Sequence, residues 1–84
     1  MKIINFTPFN QGRIRAHFSV LTREGILIER FRLMDGRNGL FIIEPEETGS
    51  DGKPYPRIKF LSPGKKQTLE DWAIREYRKS LVAA

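Results

Sequence analysis

Apolar and polar side chains alternate along residues 13–22, and this two-residue period predicts a β-strand with one buried face. Its apolar positions are Ile14, Ala16, Phe18 and Val20. A second apolar segment at residues 26–33 follows the turn signal Glu24-Gly25, so the two segments are expected to form an antiparallel hairpin. Shorter alternating patterns predict further strands at residues 2–9 and 56–61.

The register of this hairpin decides which side chains share a face. A two-residue turn pairs Phe18 with Phe31 and Ser19 with Arg30, whereas a slip of one residue would mix apolar and charged positions. The preferred register gives one face a basic end and an apolar end. The basic end holds Arg13, Arg15, Arg30 and Arg32, and the apolar end holds Leu21, Ile26 and Ile28. We expect the apolar end to contact a helix or a second subunit, and the basic end to meet water or a ligand.

Residues 40–43 are apolar at every position, which predicts a strand covered on both faces in the middle of the fold. Gly36 and Gly39 flank Arg37-Asn38 immediately before this strand and indicate a tight turn. Arg37 is then either an ordinary turn residue or a cation that a rigid turn holds toward a ligand.

The hydrophobic period becomes helical near the end of the chain. Thr68 fits an N-cap, and the apolar positions that follow are Leu69, Trp72, Ala73, Tyr77 and Leu81. We interpret Trp72 mainly as the residue that anchors this helix on the sheet, with base stacking as the alternative. The predicted fold class is α+β, with an antiparallel sheet of about five strands followed by one C-terminal helix, in a single domain spanning residues 1–84.

The amino-acid composition argues against several kinds of metal and catalytic site. The chain has no cysteine, so disulfides and thiolate zinc sites are excluded, and 84 residues favour extra stabilisation by a partner subunit. His17 is the only histidine, and no segment fits a phosphate loop or a calcium loop. We therefore expect no enzyme activity, no catalytic residue, no metal and no cofactor. The absence of a long apolar run or a signal sequence predicts a cytoplasmic protein with no membrane partner.

The positive charge of the chain is unevenly distributed. The formal net charge is +5, yet residues 44–51 hold four acidic and no basic side chains. The remaining residues carry 15 basic and six acidic side chains, a balance of +9. Such an excess predicts a polyanionic partner, of which nucleic acid is the commonest and an anionic membrane surface the second.

Residues 34–42, Met-Asp-Gly-Arg-Asn-Gly-Leu-Phe-Ile, with Pro45 after them, resemble a fairly specific segment of the stage V sporulation protein G (SpoVG) family. Residues 12–16, Asp51-Gly52 and Glu76-Tyr77 are similar to further segments of that family, so the resemblance covers nearly the whole chain. The family consists of small bacterial regulators that bind DNA, and in some members RNA, as dimers. The resemblance therefore implies a homodimer whose sheets associate, either by simple packing or by strand exchange.

The resemblance also implies that nucleic acid contacts the C-terminal helix and the residues just before it. The nucleic-acid-binding residues expected on this basis are Lys65, Lys66, Arg75, Arg78 and Lys79. Secondary candidates are Arg37, Arg13, Arg15, Arg30 and Arg32. The alternative function is a protein-interaction module, in which the apolar end of the hairpin and the acidic loop bind a protein partner while the positive charge serves solubility.

Overall fold

A computed structural model of the protein describes residues 1–82 and confirms the α+β class. The main sheet is antiparallel, in the order β1 (Lys2–Gln11), β2 (Ile14–Leu21), β3 (Leu27–Gly36) and β4 (Gly39–Ile43). A separate hairpin of β5 (Glu46–Thr48) and β6 (Pro54–Pro56) follows, and then one helix, α1 (Pro63–Val82). The last two positions of the predicted domain lie outside the described residues. No helix within residues 1–82 has the length and apolar character needed to cross a membrane.

The core lies between one face of the main sheet and α1. Phe18 pairs with Phe31 and Ala16 pairs with Leu33, as the alternation predicted. The buried apolar residues are Ala16, Phe18, Val20, Phe31, Leu33, Ile42, Leu69 and Ala73. Trp72 is half-buried and packs against this cluster, so its predicted role as the anchor of the helix is confirmed.

The β2–β3 register shifts by one residue beyond Phe18, so the predicted pairing of Ser19 with Arg30 is wrong. Arg30 has a φ of 72°, a left-handed conformation that accompanies the irregularity at this point of β3. The shift places Ile28 opposite Val20 on the core face, away from the face that the sequence pattern predicted. A bulge of this kind inverts every side chain beyond it, and the alternation alone carries no signal of it.

The strand β4 lies at an edge of the sheet and not in its middle, so the position predicted for residues 40–43 is wrong. Ile42 faces the core, whereas Phe41 points to the opposite face and is 37% exposed. A continuous apolar run predicts that both faces are covered, but it cannot specify that the second cover belongs to the same chain.

The predicted strand at residues 56–61 is not formed, because β6 ends at Pro56 and residues 57–61 have no regular structure. The acidic loop instead folds into the β5–β6 hairpin. At its tip the Tyr55 hydroxyl donates a hydrogen bond to Asp51 Oδ2. This bond raises the pKa of Tyr55 and lowers the pKa of the Asp51 carboxyl.

The helix α1 begins at Pro63, five residues before the N-cap predicted at Thr68. Proline suits the first helical position, because its fixed φ fits the helix and its missing N–H has no intrahelical partner there. The Ser62 carbonyl accepts the first bond, from the Lys65 N–H at 3.1 Å. The Ser-Pro-Gly segment is therefore the start of the helix, and Lys65 and Lys66 lie in its first turn.

Neither edge of the main sheet is a regular strand with all its outward backbone groups free. The strand β1 runs past Pro8, beyond the end predicted at residue 9, since an edge strand tolerates a residue that cannot donate. Two register irregularities interrupt its pairing, and Asn5 at the first has a φ of 53°. At the other edge the Ile42 N–H donates to Glu70 Oε2 at 3.1 Å, so a side chain of α1 caps β4. Irregular or capped edges hinder pairing with a further strand.

Candidate nucleic-acid interface

The second half of α1 carries a cluster of cations. Arg75, Arg78 and Lys79 line a groove along the helix together with Asp71, Ile74 and Val82. Because residues three and four apart lie on the same side of a helix, Arg75 is a neighbour of both Arg78 and Lys79. The three side chains therefore form one basic strip, which we call the α1 strip.

The charges of the α1 strip are only partly compensated. Lys79 Nζ lies 3.6 Å from Glu76 Oε1, and this ion pair is solvent-exposed. Within residues 1–82 no carboxylate lies within ion-pair distance of Arg75 or Arg78. Asp71 shares the groove, but its carboxylate accepts a hydrogen bond from Gln67 at 2.9 Å. Among the described residues, Arg75 and Arg78 thus make no ion pair, and Asp71 is the acidic residue that shares their groove.

A second groove lies on the other side of Arg75 and Lys79. Its lining consists of Met1, Lys2, Ile3, Trp72, Arg75, Glu76 and Lys79. Lys2 borders this groove from the start of the edge strand β1, where its pairing with Leu21 directs its Cβ to the face of the sheet opposite α1. Lys2 is not among the residues predicted from sequence, because its place beside this groove depends on how the helix crosses the sheet.

Lys65 and Lys66 lie at the opposite end of α1. About ten residues of helix, roughly 15 Å, separate them from the α1 strip. Lys66 Nζ is 2.6 Å from Glu44 Oε1, and the Glu44 side chain is 17% exposed. Lys66 therefore ties the first turn of the helix to the end of β4, and Lys65 is exposed beside it. The five primary candidates do not form one cluster.

Two of the secondary candidates are paired with acids on the sheet. Arg15 Nη2 lies 3.3 Å from Asp35 Oδ2, and Arg32 forms a salt bridge with Glu46 of β5. Both arginine side chains are more than half buried. These pairs join β2 to β3 and β3 to the β5–β6 hairpin, so they account for two of the cations that the sequence pattern placed on one basic face.

The other secondary candidates are exposed but lie apart from the α1 strip. Arg13 and Arg37 belong to the turns that precede β2 and β4, at one end of the sheet. Arg30 lies at the irregularity in β3 and lines a shallow depression that also contains His17 and Thr48. The structure brings none of these three into the groove of the α1 strip.

The face of the sheet opposite α1, here called the open face, is apolar and incompletely covered. Phe9, Leu27 and Phe41 are exposed on it, and the Phe9 ring packs 5.0 Å from the His17 ring between centroids. Half-buried apolar side chains from all four strands accompany them: Ile4, Leu21, Met34 and Ile43. Arg15 and Arg32 of this face are paired with acids and Arg30 is exposed, so the open face combines a large apolar area with a local positive charge.

Several curated bacterial proteins named "Putative septation protein SpoVG" are similar to the chain. The protein from Oceanobacillus iheyensis is 27% identical over 70 residues, which cover 83% of this chain and 73% of the relative. Those from Bacillus cereus (strain AH187) and Bacillus anthracis (strain A0248) are each 28% identical over 69 residues, covering 82% of this chain and 71% of the relative. The chain is therefore similar to SpoVG proteins over about four fifths of its length. No protein-family model matches it.

The SpoVG-like segment at residues 34–42 forms the end of β3, the turn and most of β4. A Cβ atom on Gly36 would lie 2.6 Å from the Phe41 ring, so this position requires glycine for close approach. Gly39 has a φ of 115°, which glycine alone adopts readily. The glycines therefore shape this hairpin, and the position of Arg37 is explained by the turn.

Proposed function

We propose that this protein is a nucleic-acid-binding regulator of the SpoVG family that contacts phosphates through the α1 strip and acts as a homodimer. The observation that supports the proposal most directly is the pair Arg75 and Arg78, two neighbouring guanidinium groups with no acidic partner within residues 1–82. Guanidinium forks bind phosphate oxygens through two parallel hydrogen bonds. Since the relatives are named septation proteins, we propose control of cell division as the process, without a catalytic step.

Unpaired like charges on one helix face reduce helix stability slightly, because neighbours three and four residues apart repel each other. A phosphate backbone would remove this repulsion and release its own counterions on binding. The α1 strip lies on the surface of α1 that does not bury Leu69 and Ala73, so ligand binding needs no rearrangement of the core. Contacts of this kind give affinity for many sequences, and any sequence preference requires base contacts in addition.

The homodimer in this proposal forms through the open face. A second copy supplies an apolar surface of the same shape, as a two-fold interface requires, and two arginines of the face, Arg15 and Arg32, are already neutralised by Asp35 and Glu46. Because α1 covers the other face of each sheet, such a dimer carries its two helices on the outside. Two α1 strips would then be available to one nucleic acid.

The experiment is fluorescence anisotropy of labelled duplex DNA and of single-stranded RNA of matched sequence, over a series of salt concentrations. The test variant is Arg75→Gln with Arg78→Gln, and the matched control is Arg13→Gln with Arg37→Gln, which removes the same charge from the sheet turns. We expect the test variant to lower the slope of log K against log salt by about 2 and the control to leave it nearly unchanged. Equal losses in the two variants would contradict the α1 placement, and no binding by the native protein at low salt would contradict the function.

A protein-interaction module is the second candidate function, favoured by the exposed apolar side chains of the open face. It requires that the face remain free in the isolated protein. A native chain that sediments as a monomer at micromolar concentration and binds no nucleic acid at low salt would support this candidate over the first.

A further inference from the structure

The groove between the start of β1 and α1 differs in chemistry from the groove of the α1 strip. Trp72 forms part of its wall, with Lys2 from β1 and with Arg75 and Lys79 from the helix. The only carboxylate among its lining residues is that of Glu76, which pairs with Lys79. Within residues 1–82, Lys2 and Arg75 have no carboxylate at ion-pair distance; Arg75 lies on α1, and Lys2 borders the groove from the edge of β1. The groove is open to solvent and has a volume of about 340 Å³.

Trp72 packs against the core but leaves part of its indole open to this groove. The side chain is half-buried, and no side-chain hydrogen bond within residues 1–82 involves its N–H. Since no buried side-chain nitrogen or oxygen in these residues lacks a partner, the indole N–H must be accessible to solvent. The structure thus presents a partly accessible indole in a groove that cations from two different elements also line.

We propose that this groove binds an unpaired base of a single-stranded nucleic acid, stacked on Trp72, with the adjoining phosphates on Lys2 and Arg75. The inference rests on the proposed function and adds that the preferred ligand is a single strand. Bases of a duplex are stacked on each other and cannot offer a face to an indole, whereas an unpaired base can. Arg75 lines both grooves, so one nucleic-acid strand could contact the α1 strip and the groove beside Trp72 at the same time.

Trp72 is the only tryptophan of the chain, so its fluorescence reports directly on this groove. The native protein is titrated with a uridine 12-mer RNA, a thymidine 12-mer DNA and a random-sequence duplex DNA. We expect both single strands to quench the fluorescence as they bind, and the duplex to bind with little quenching. The ratio of the RNA and DNA affinities then shows whether the protein prefers ribose or deoxyribose strands.

Two variants separate stacking from packing. Trp72→Leu keeps an apolar side chain against the core, and we expect it to weaken single-strand binding, measured by anisotropy, by about 10-fold or more while duplex affinity changes less than about 2-fold. Lys2→Gln, at an exposed position, is expected to weaken single-strand binding by a few fold and to leave the thermal unfolding curve unchanged. If Trp72→Leu fails to fold, Lys2→Gln and the quenching of the native protein decide the question.

Single strands that bind without quenching, or single-strand and duplex affinities that fall equally in both variants, would overturn the inference. Steep salt-dependent binding of the duplex with no quenching by any ligand would leave the proposed function standing and remove this inference alone. Absence of binding by all three ligands at low salt would remove the proposed function itself.

Discussion

On the α1 side of the main sheet, Phe18 and Leu33 are at most 2% exposed, whereas on the open face Leu27 is 45% and Phe41 is 37% exposed. Both faces are rich in apolar side chains, yet α1 covers the first, whereas the β5–β6 hairpin reaches only part of the second. The arginines differ too, since Arg32 on the open face is paired with an acid and Arg75 on the helix is not. The difference teaches that alternation identifies the residues that share a face without identifying what covers them.

The largest effect on the free energy of unfolding is expected from removing a buried side chain on the covered face. Leu69→Ala removes a fully buried side chain of α1 and leaves a cavity, so it should lower the free energy of unfolding by about 3 kcal/mol. Leu27→Ala, the same substitution on the open face, should cost less than about 1 kcal/mol in dilute solution. Urea denaturation followed by circular dichroism measures both values. Equal costs would show that the two faces are equally covered in a single chain.

The second prediction concerns a substitution that adds a charge to the open face. Phe41→Glu places a carboxylate in the proposed dimer interface, and the cost of burying it should weaken dimerisation about 100-fold or more. Leu61→Glu is the matched control, because Leu61 is 95% exposed and lies outside the sheet. Sedimentation velocity over a range of concentrations gives the dissociation constants. A native protein that is monomeric at all concentrations, or equal effects of the two substitutions, would contradict the proposed interface.

A smaller effect is expected at the edge between the two faces, where Glu70 caps the Ile42 N–H. Glu70→Ala should cost about 1 kcal/mol, because it leaves a partly buried amide without an acceptor. Glu70→Gln retains a carbonyl oxygen in the same place and should cost less. Hydrogen exchange of the Ile42 amide, followed by NMR, checks the local effect. If the alanine variant exchanged as slowly as the native protein, the cap would have no energetic role.

The smallest effect is expected in the β5–β6 hairpin, which the salt bridge between Arg32 and Glu46 connects to the open face. Asp51→Asn removes the anionic acceptor that raises the pKa of Tyr55, so this pKa should fall toward its ordinary value. Absorbance at alkaline pH in a Tyr77→Phe background follows Tyr55 alone. The same bond lowers the pKa of Asp51, so its contribution to the hairpin is present at neutral pH and is lost as acid protonates Asp51. An unchanged tyrosine titration would contradict this account.

Local pattern was sufficient for the class of the fold, for the centre of the β2–β3 register and for the apolar face of α1. It was insufficient where the conformation of one backbone position determines which face the following side chains occupy. Arg30 is such a position, and its left-handed conformation has no signal in the amino-acid composition. The start of α1 was misjudged because Ser62-Pro63 fits both a break and a helix start. Because the predicted helix began only at Thr68, it also concealed the contact of Lys66 in the first turn of α1 with Glu44.

Within the candidate site, helical spacing was sufficient to group Arg75, Arg78 and Lys79. It was insufficient for Lys2, whose place beside Trp72 depends on the packing of β1 against the helix. It also could not separate cations that face solvent from cations that hold the fold together, such as Arg15 and Arg32. That distinction requires the positions of the acids in three dimensions.

The capped amide of Ile42 and the irregular β1 have a consequence for the size of any assembly. Filaments rich in β-structure grow when each new chain adds a strand to a flat, unsatisfied border. Here one border is occupied by Glu70 and the other is broken by Asn5 and Pro8. We therefore expect the proposed homodimer to remain a closed pair and not to grow by adding strands at the borders of the sheet.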